Sequence, residues 1–152
     1  MLRETTGEPV DFLFVNPPLT LRERYGGLAI GGSNLPPLGL ANLAAAVREA
    51  GRRPAVLDAA IHGLDVARTV KKIIEIAPRV VGFTGATVAV DNLVAAARGV
   101  RSALPSVPIV VGGAHVSAVP RETLERYHDC IDAAVVGEGD VTAVELLNAL
   151  LD

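Results

Sequence analysis

Residues 11–18 are DFLFVNPP. The run Asp11–Val15 is short and nearly continuous in apolar side chains, the pattern of a parallel strand covered on both faces. Four more runs of this kind follow at Pro54–Asp58 (PAVLD), Arg79–Thr84 (RVVGFT), Pro108–Val111 (PIVV) and Asp132–Val136 (DAAVV). Helical spacing fills the gaps between them. Leu40, Leu43, Ala44 and Val47 recur at i, i+3, i+4 and i+7, and Gly51 supplies a stop. Val66, Val70, Ile73, Ile74 and Ala77 form a second stripe behind Asp65, a suitable N-cap. Leu93, Ala96, Ala97 and Val100 form a third, and Ala143, Leu146, Leu147 and Leu150 a fourth. A short helix is expected after Val119, with Pro120 at its first position and Glu122 in its first turn.

Five strand–helix units in series predict an α/β fold. It is an open five-stranded parallel sheet with right-handed crossovers and helices on both faces, three layers in all. The expected strand order is 2-1-3-4-5, as in flavodoxin-like folds. One domain is expected over residues 10–152, preceded by a polar tail over residues 1–9. No repeat, low-complexity tract or second domain shows in the sequence.

Composition narrows the function. The chain has 152 residues, half of them hydrophobic, with 14 Lys plus Arg against 17 Asp plus Glu. A net charge of −3 and 3% aromatic residues give neither a basic footprint nor stacking platforms, so nucleic acid is not an expected partner. No apolar run reaches the roughly 18 residues of a spanning helix. The polar N-terminus lacks the apolar region of a secretory signal. No membrane is expected as a partner, and the expected location is the cytoplasm. The single cysteine, Cys130, excludes an internal disulfide, a four-cysteine zinc site and a self-contained iron–sulfur cluster.

In a parallel sheet the residues just after strands 1, 3, 4 and 5 share one edge. They are Asn16-Pro17-Pro18, Thr84-Gly85-Ala86-Thr87, Gly112-Gly113-Ala114-His115 and Gly137-Glu138-Gly139-Asp140. Glycine lets a ligand press against backbone and exposes N–H donors to it. The segment Asn16–Pro36 far exceeds the about 2–6 residues of an ordinary βα loop, at the edge where open α/β sheets bind ligands. These features together point to a large ligand across the carboxyl edge. Familiar nucleotide motifs are missing: no G-x-G-x-x-G follows strand 1, and no phosphate-binding P-loop occurs. A phosphoacceptor receiver would need acids after strand 1 and strand 3 and a lysine after strand 5, where this chain has Asn16, Thr84 and Gly137. Prolines after strand 1 remove the donors of a flavin phosphate loop.

No catalytic constellation shows. His62, His115 and His128 lack metal-ligand spacing on one element. His115 sits at the binding edge, and His62 and His128 read as surface residues. Cys130 reads as a structural thiol. Asp58 suits either a ligand hydrogen bond or a turn. Glu138 suits either a ligand or domain contact or solvent. Arg22, Glu23 and Arg24 read as a solvated charge run.

An ordered set of motifs resembles a known family. It comprises Asn16-Pro17-Pro18, Pro36-Pro37-Leu38-Gly39-Leu40, Val56-Leu57-Asp58, Val81-Gly82-Phe83-Thr84, Val110-Val111-Gly112-Gly113-Ala114-His115 and Val136-Gly137-Glu138-Gly139-Asp140. From about Val10 onward the chain resembles the N-terminal cobalamin-binding domain of B12-dependent radical SAM enzymes. The resemblance implies a Rossmann-like domain with the corrin ring over the carboxyl ends of the strands and the nucleotide tail beside the sheet. It implies contacts from Asn16, Pro17, Pro18, Thr84, Gly85, Ala86, Thr87, Gly112, Gly113, Ala114, His115, Gly137, Glu138 and Gly139, with no catalytic residue and no protein metal ligand.

Two departures refine what it implies. Many cobalamin domains carry Asp-x-His-x-x-Gly after strand 1, and no such motif follows Val15. The expectation is base-off, His-off cobalamin, suited to methyl transfer through a super-reduced cobalt. Radical SAM chemistry needs Cys-x-x-x-Cys-x-x-Cys, and only Cys130 is present. These residues are then expected to be either one domain of a longer methyltransferase or cyclase, with the [4Fe-4S] cluster and SAM in a catalytic domain of the same full-length protein, or a stand-alone corrinoid carrier. Two alternatives stay open: a flavodoxin-like domain for a flavin or nucleotide, and an interaction domain whose edge groove is filled by Asn16–Pro36 side chains.

Overall fold

The computed structural model describes residues 9–33 and 35–152. Apart from Pro9, the expected tail lies outside the described residues, as does Asn34. Strands β1 (Phe12–Asn16), β2 (Pro54–Asp58), β3 (Val80–Thr84), β4 (Ile109–Gly112) and β5 (Ala133–Ala134) form one sheet in the order β2-β1-β3-β4-β5. All neighbours pair in parallel. The expected fold class and strand order are both present.

Alternation of side chains along each strand divides the core into two layers. Leu13, Val15, Val81, Phe83, Ile109 and Val111 point to one face. They pack on α3 (Val66–Ile76), α4 (Val90–Ala103), α5 (Ala114–Ala118) and α6 (Pro120–Tyr127). Phe12, Phe14, Val80 and Val110 point to the other face, against α2 (Leu38–Glu49) and α7 (Asp140–Leu151). Leu13, Val15, Val80, Val81 and Ile109 are wholly buried, which explains why the strands read as apolar runs rather than alternating ones. The carboxylate of Asp65 accepts from Arg68 N at 2.8 Å and caps α3, and Pro120 opens α6.

Three local expectations need correction. Asn16–Pro36 is not a plain loop: it holds α1 (Leu21–Tyr25) and a 3-10 segment, Gly26–Gly31. The reason is a capping box, in which Glu23 N donates to Thr20 Oγ1 while Thr20 N donates to Glu23 Oε2. Strand β5 is two residues long where five were expected. It is an edge strand paired on one side only, and Ser117 Oγ takes the Gly137 N–H beyond it, ending the ladder. Helix α5 precedes the expected α6.

The two helices of the second layer are joined at one end. Arg52, just after α2, donates from Nη2 to Asn148 Oδ1 at 2.8 Å and pairs with Asp152 at 2.7 Å, both at the end of α7. On the opposite layer, α3 and α4 touch closely at Gly99. A Cβ there would lie 2.7 Å from Val70 Cγ2 and 3.3 Å from its Cγ1. Valine is stiff in a helix and has no rotamer to spare. Gly99→Ala therefore gains about 1 kcal/mol of helix propensity but loses about 1–3 kcal/mol to overpacking. Urea denaturation should show net destabilisation, and adding Val70→Ala should return part of it; a double variant less stable than both singles would contradict this contact.

Candidate cofactor site

Over β3 and β4 the second layer is open. The inward-facing residues there are Gly82 and Thr84 on β3, and Val110 and Gly112 on β4. Their small size leaves a slot of about 340 Å³ between sheet and helices. One wall is the first half of α2, with Gly39, Leu40, Asn42 and Leu43. The other is the turn and first half of α7, with Gly137, Glu138, Gly139, Asp140, Ala143 and Leu146. Phe12 and Phe14 stack on the inner side, centroids 4.1 Å apart and planes at 18°. A Cβ on Gly82 would come 2.5 Å from the buried Phe12 ring, so glycine is what lets this pair lie against the sheet.

The turns above β3 and β4 lock together through backbone. Gly85 N donates to Gly112 O at 2.8 Å, and His115 N donates to Gly85 O at 3.0 Å. Gly113 has φ +99°, and a Cβ on it would sit 2.9 Å from Gly85 N and from Thr84 Oγ1. Only glycine meets both demands. Among the described residues the Thr84 hydroxyl has no hydrogen-bond partner, and it stands at the slot mouth.

The expected site residues separate into two groups. Thr84, Gly112, Gly113, Gly137, Glu138 and Gly139 line the slot. Asn16, Pro17, Pro18, Gly85, Ala86, Thr87, Ala114 and His115 do not line it and instead build the surrounding edge. Asn16 Nδ2 donates to Asp58 Oδ1 at 2.8 Å, and Ile61 N donates to the same oxygen at 3.2 Å, so Asp58 serves a turn. Pro17 and Pro18 are buried, while Ala86, Thr87 and Ala114 are exposed. His115 Nδ1 lies 3.2 Å from Thr87 Oγ1. His62 and His128 are exposed, and Glu138 is exposed at the mouth. Cys130 is fully buried with Sγ 3.6 Å from Tyr127 O, and burial pushes its thiol up. Among the described residues no three His, Cys, Asp or Glu side chains could hold a metal ion.

The inner lining, Phe12, Phe14, Leu43, Gly82, Ala143 and Leu146, was not among the expected contacts. A glycine inside a strand, Gly82, was the available signal. No described residue of Asn16–Pro36 lines the slot, so the groove is not filled by the described part of that segment, against the second alternative.

The segment is instead held on the other side. Asn92 of α4 donates through Nδ2 to Pro18 O at 3.0 Å and to Glu23 Oε1 at 3.1 Å. Glu23 is exposed, as expected of a solvated charge run, and also serves as a clasp. Beyond it Leu28 and Ile30 stand exposed, as do Leu35, Leu38, Val136 and Val141.

The comparisons with known proteins fit this geometry. The B12 binding domain family matches residues 27–147. The chain belongs to the B12-binding domain family. An uncharacterized methyltransferase of Pyrococcus horikoshii is 38% identical to this B12-binding domain over 122 residues, 78% of the chain and 26% of the relative. The anaerobic magnesium-protoporphyrin IX monomethyl ester cyclase of Synechocystis sp. is 30% identical over 140 residues, 91% of the chain and 27% of the relative. The radical S-adenosylmethionine methyltransferase TsrM of Kitasatospora setae, solved with tryptophan and a SAM analog, superposes with a TM-score of 0.73. It shares 23% identity, and the match covers 91% of this chain and 25% of that one. This B12-binding domain thus spans about a quarter of the length of the relatives it matches. Its cofactor class is a corrinoid, cobalamin. Among the described residues no helix is long and apolar enough to cross a membrane.

The clasp titrates. Hydrogen bonds from Thr20 N, then Thr20 Oγ1, then Asn92 hold the Glu23 carboxyl below its ordinary value. A lowered folded-state pKa gives a contribution that is complete at neutral pH and lost as pH falls through it. Amide exchange over residues 20–31 should therefore accelerate below the usual carboxylate range of about 4 while the sheet stays protected. Asn92→Ala should produce the same acceleration at neutral pH; protection unchanged by both would show that the clasp holds nothing.

Proposed function

We propose that this domain binds cobalamin base-off and His-off, with the nucleotide tail in the α2/α7 slot and the corrin ring over the carboxyl edge. The observation that carries this reading is an apolar slot whose floor is strand backbone. About 340 Å³ lies within the range of ligand pockets, yet it suits one arm of a corrinoid rather than the whole. Thr84, Gly112 and Gly113 would meet the tail where it enters, and Gly137–Gly139 would flank it. Thr84 Oγ1 offers the mouth a free donor and acceptor.

The donor set argues against a protein nitrogen on cobalt. After β1 the chain continues Asn16-Pro17-Pro18, and the Asn16 amide is committed to Asp58. His115 is turned to Thr87 and follows β4, not β1. The corrinoid, when bound, would supply a methyl carrier. The relatives' names support service to a radical SAM methyltransferase or cyclase domain, whose cluster the lone Cys130 of this chain does not provide.

Incubation with hydroxocobalamin followed by gel filtration should leave corrinoid absorbance on the protein. After reduction, the cobalt(II) electron paramagnetic resonance spectrum should show no nitrogen splitting from an axial ligand; a nitrogen triplet would refute base-off, His-off binding. Gly112→Val gives a sharper check. A Cβ there meets only Val135 at 3.6–3.8 Å, an ordinary contact, in extended strand backbone. Its methyl groups would enter the slot. Expected are stability within about 1 kcal/mol of the parent and at least tenfold weaker corrinoid binding. Undiminished binding by the folded variant would place the tail elsewhere.

A further inference from the structure

The slot changes character with depth. At its mouth stand Thr84, Asn42, Glu138 and Asp140, all polar. Two residues further in along the strands, about 7 Å deeper, the register row reads Val56, Phe14, Gly82, Val110 and Ala133. The helices add Leu40, Ala143 and Leu146 over that row. None of these side chains carries a polar atom, and the peptide groups of Phe14, Gly82 and Val110, in the three central strands, lie within the parallel ladder.

We infer that the inner slot selects among corrinoids by the base of the nucleotide tail, taking dimethylbenzimidazole and disfavouring a purine. This rests on the corrinoid reading above. A dimethylbenzimidazole edge is carbon, and carbon is what the stacked Phe12 and Phe14 rings, Val110 and Leu146 offer it. An adenine brings ring nitrogens and an exocyclic amine to the same depth. Each would leave water without finding a partner, a loss that burial of its ring does not return. The mouth residues remain near the polar link of the tail, so discrimination falls on the base alone.

The test compares three corrinoids on the same protein by absorbance titration: cobalamin, its adenine-containing counterpart, and cobinamide, which has no nucleotide. Cobalamin is expected to bind at least tenfold tighter than the adenine form and tighter than cobinamide. Leu146→Gln places an amide in the inner slot on a helix that tolerates it. That variant should narrow the gap to below threefold by strengthening the adenine form, a gain that misfolding does not produce. Equal binding of cobalamin and the adenine form, both tighter than cobinamide, overturns base selection and leaves the tail in the slot. Equal binding of all three overturns the tail placement as well. Binding of none overturns the corrinoid reading itself. A gap unchanged in folded Leu146→Gln also overturns the inference.

Discussion

The stacked rings of Phe12 and Phe14 rest on the sheet where Gly82 has no side chain, and much of the second layer follows from that contact. The rings fill the space between β1 and α2, so α2 packs over β1 and β2 rather than sliding across β3. Helix α7 is tied to the α2 end by Arg52 through Asn148 and Asp152, at the bottom of the layer. With the two helices joined there and Gly82, Thr84 and Gly112 short beneath them, the layer opens toward the carboxyl edge. The slot is thus a product of packing on this side of the sheet. The opposite layer, with Val81, Phe83, Val111 and six buried residues of α4, leaves there a void of only about 10 Å³.

The edge above the slot has a different physical basis. Its polar residues are largely consumed in building it: Asn16 holds Asp58, Asp58 caps a turn, His115 meets Thr87, and Ser117 holds Gly137. Those contacts fix the positions of backbone turns. Thr84 is different, a half-buried hydroxyl at the mouth with no hydrogen-bond partner among the described residues. On the reading proposed above, recognition depends on where side chains are missing, while the side chains that are present mainly set the shape around that absence. This is why no catalytic cluster was readable from the chain.

Much of the fold was legible because its signals are local or periodic. The five apolar runs, the Asp65 cap and the Pro120 helix start are each written within a few residues. Strand order was expected by likeness to flavodoxin-like folds, since serial strand–helix units alone do not fix it, and the sheet has that order. The Thr20–Glu23 capping box was equally local; its Glu is exposed, as expected of a solvated charge, and its added bond from Asn92 was not legible because Asn92 lies on another element. The slot's depth was less legible still. Phe12, Leu43 and Leu146 look like ordinary core residues in sequence, and only the superposition of three elements makes them a lining. The shortness of β5 likewise depends on Ser117, twenty residues away.

The glycines sort by what demands them. Gly113 is required by its backbone angle and by the turn it nests against, and Gly82 by an aromatic ring. Both would be glycine in this fold with or without a ligand. Gly112 is under neither demand: it lies in extended strand, and a side chain there would meet nothing closer than ordinary contact. Strand ends ordinarily favour β-branched residues, which bury area that glycine leaves exposed. The fold therefore forgoes stabilisation at Gly112 without a structural reason of its own. The space so kept is on the sheet side of the slot, beside Thr84 in the strand register and next to Val135. A stability deficit confined to the floor of an open cavity is what a bound group, rather than the chain, would make good.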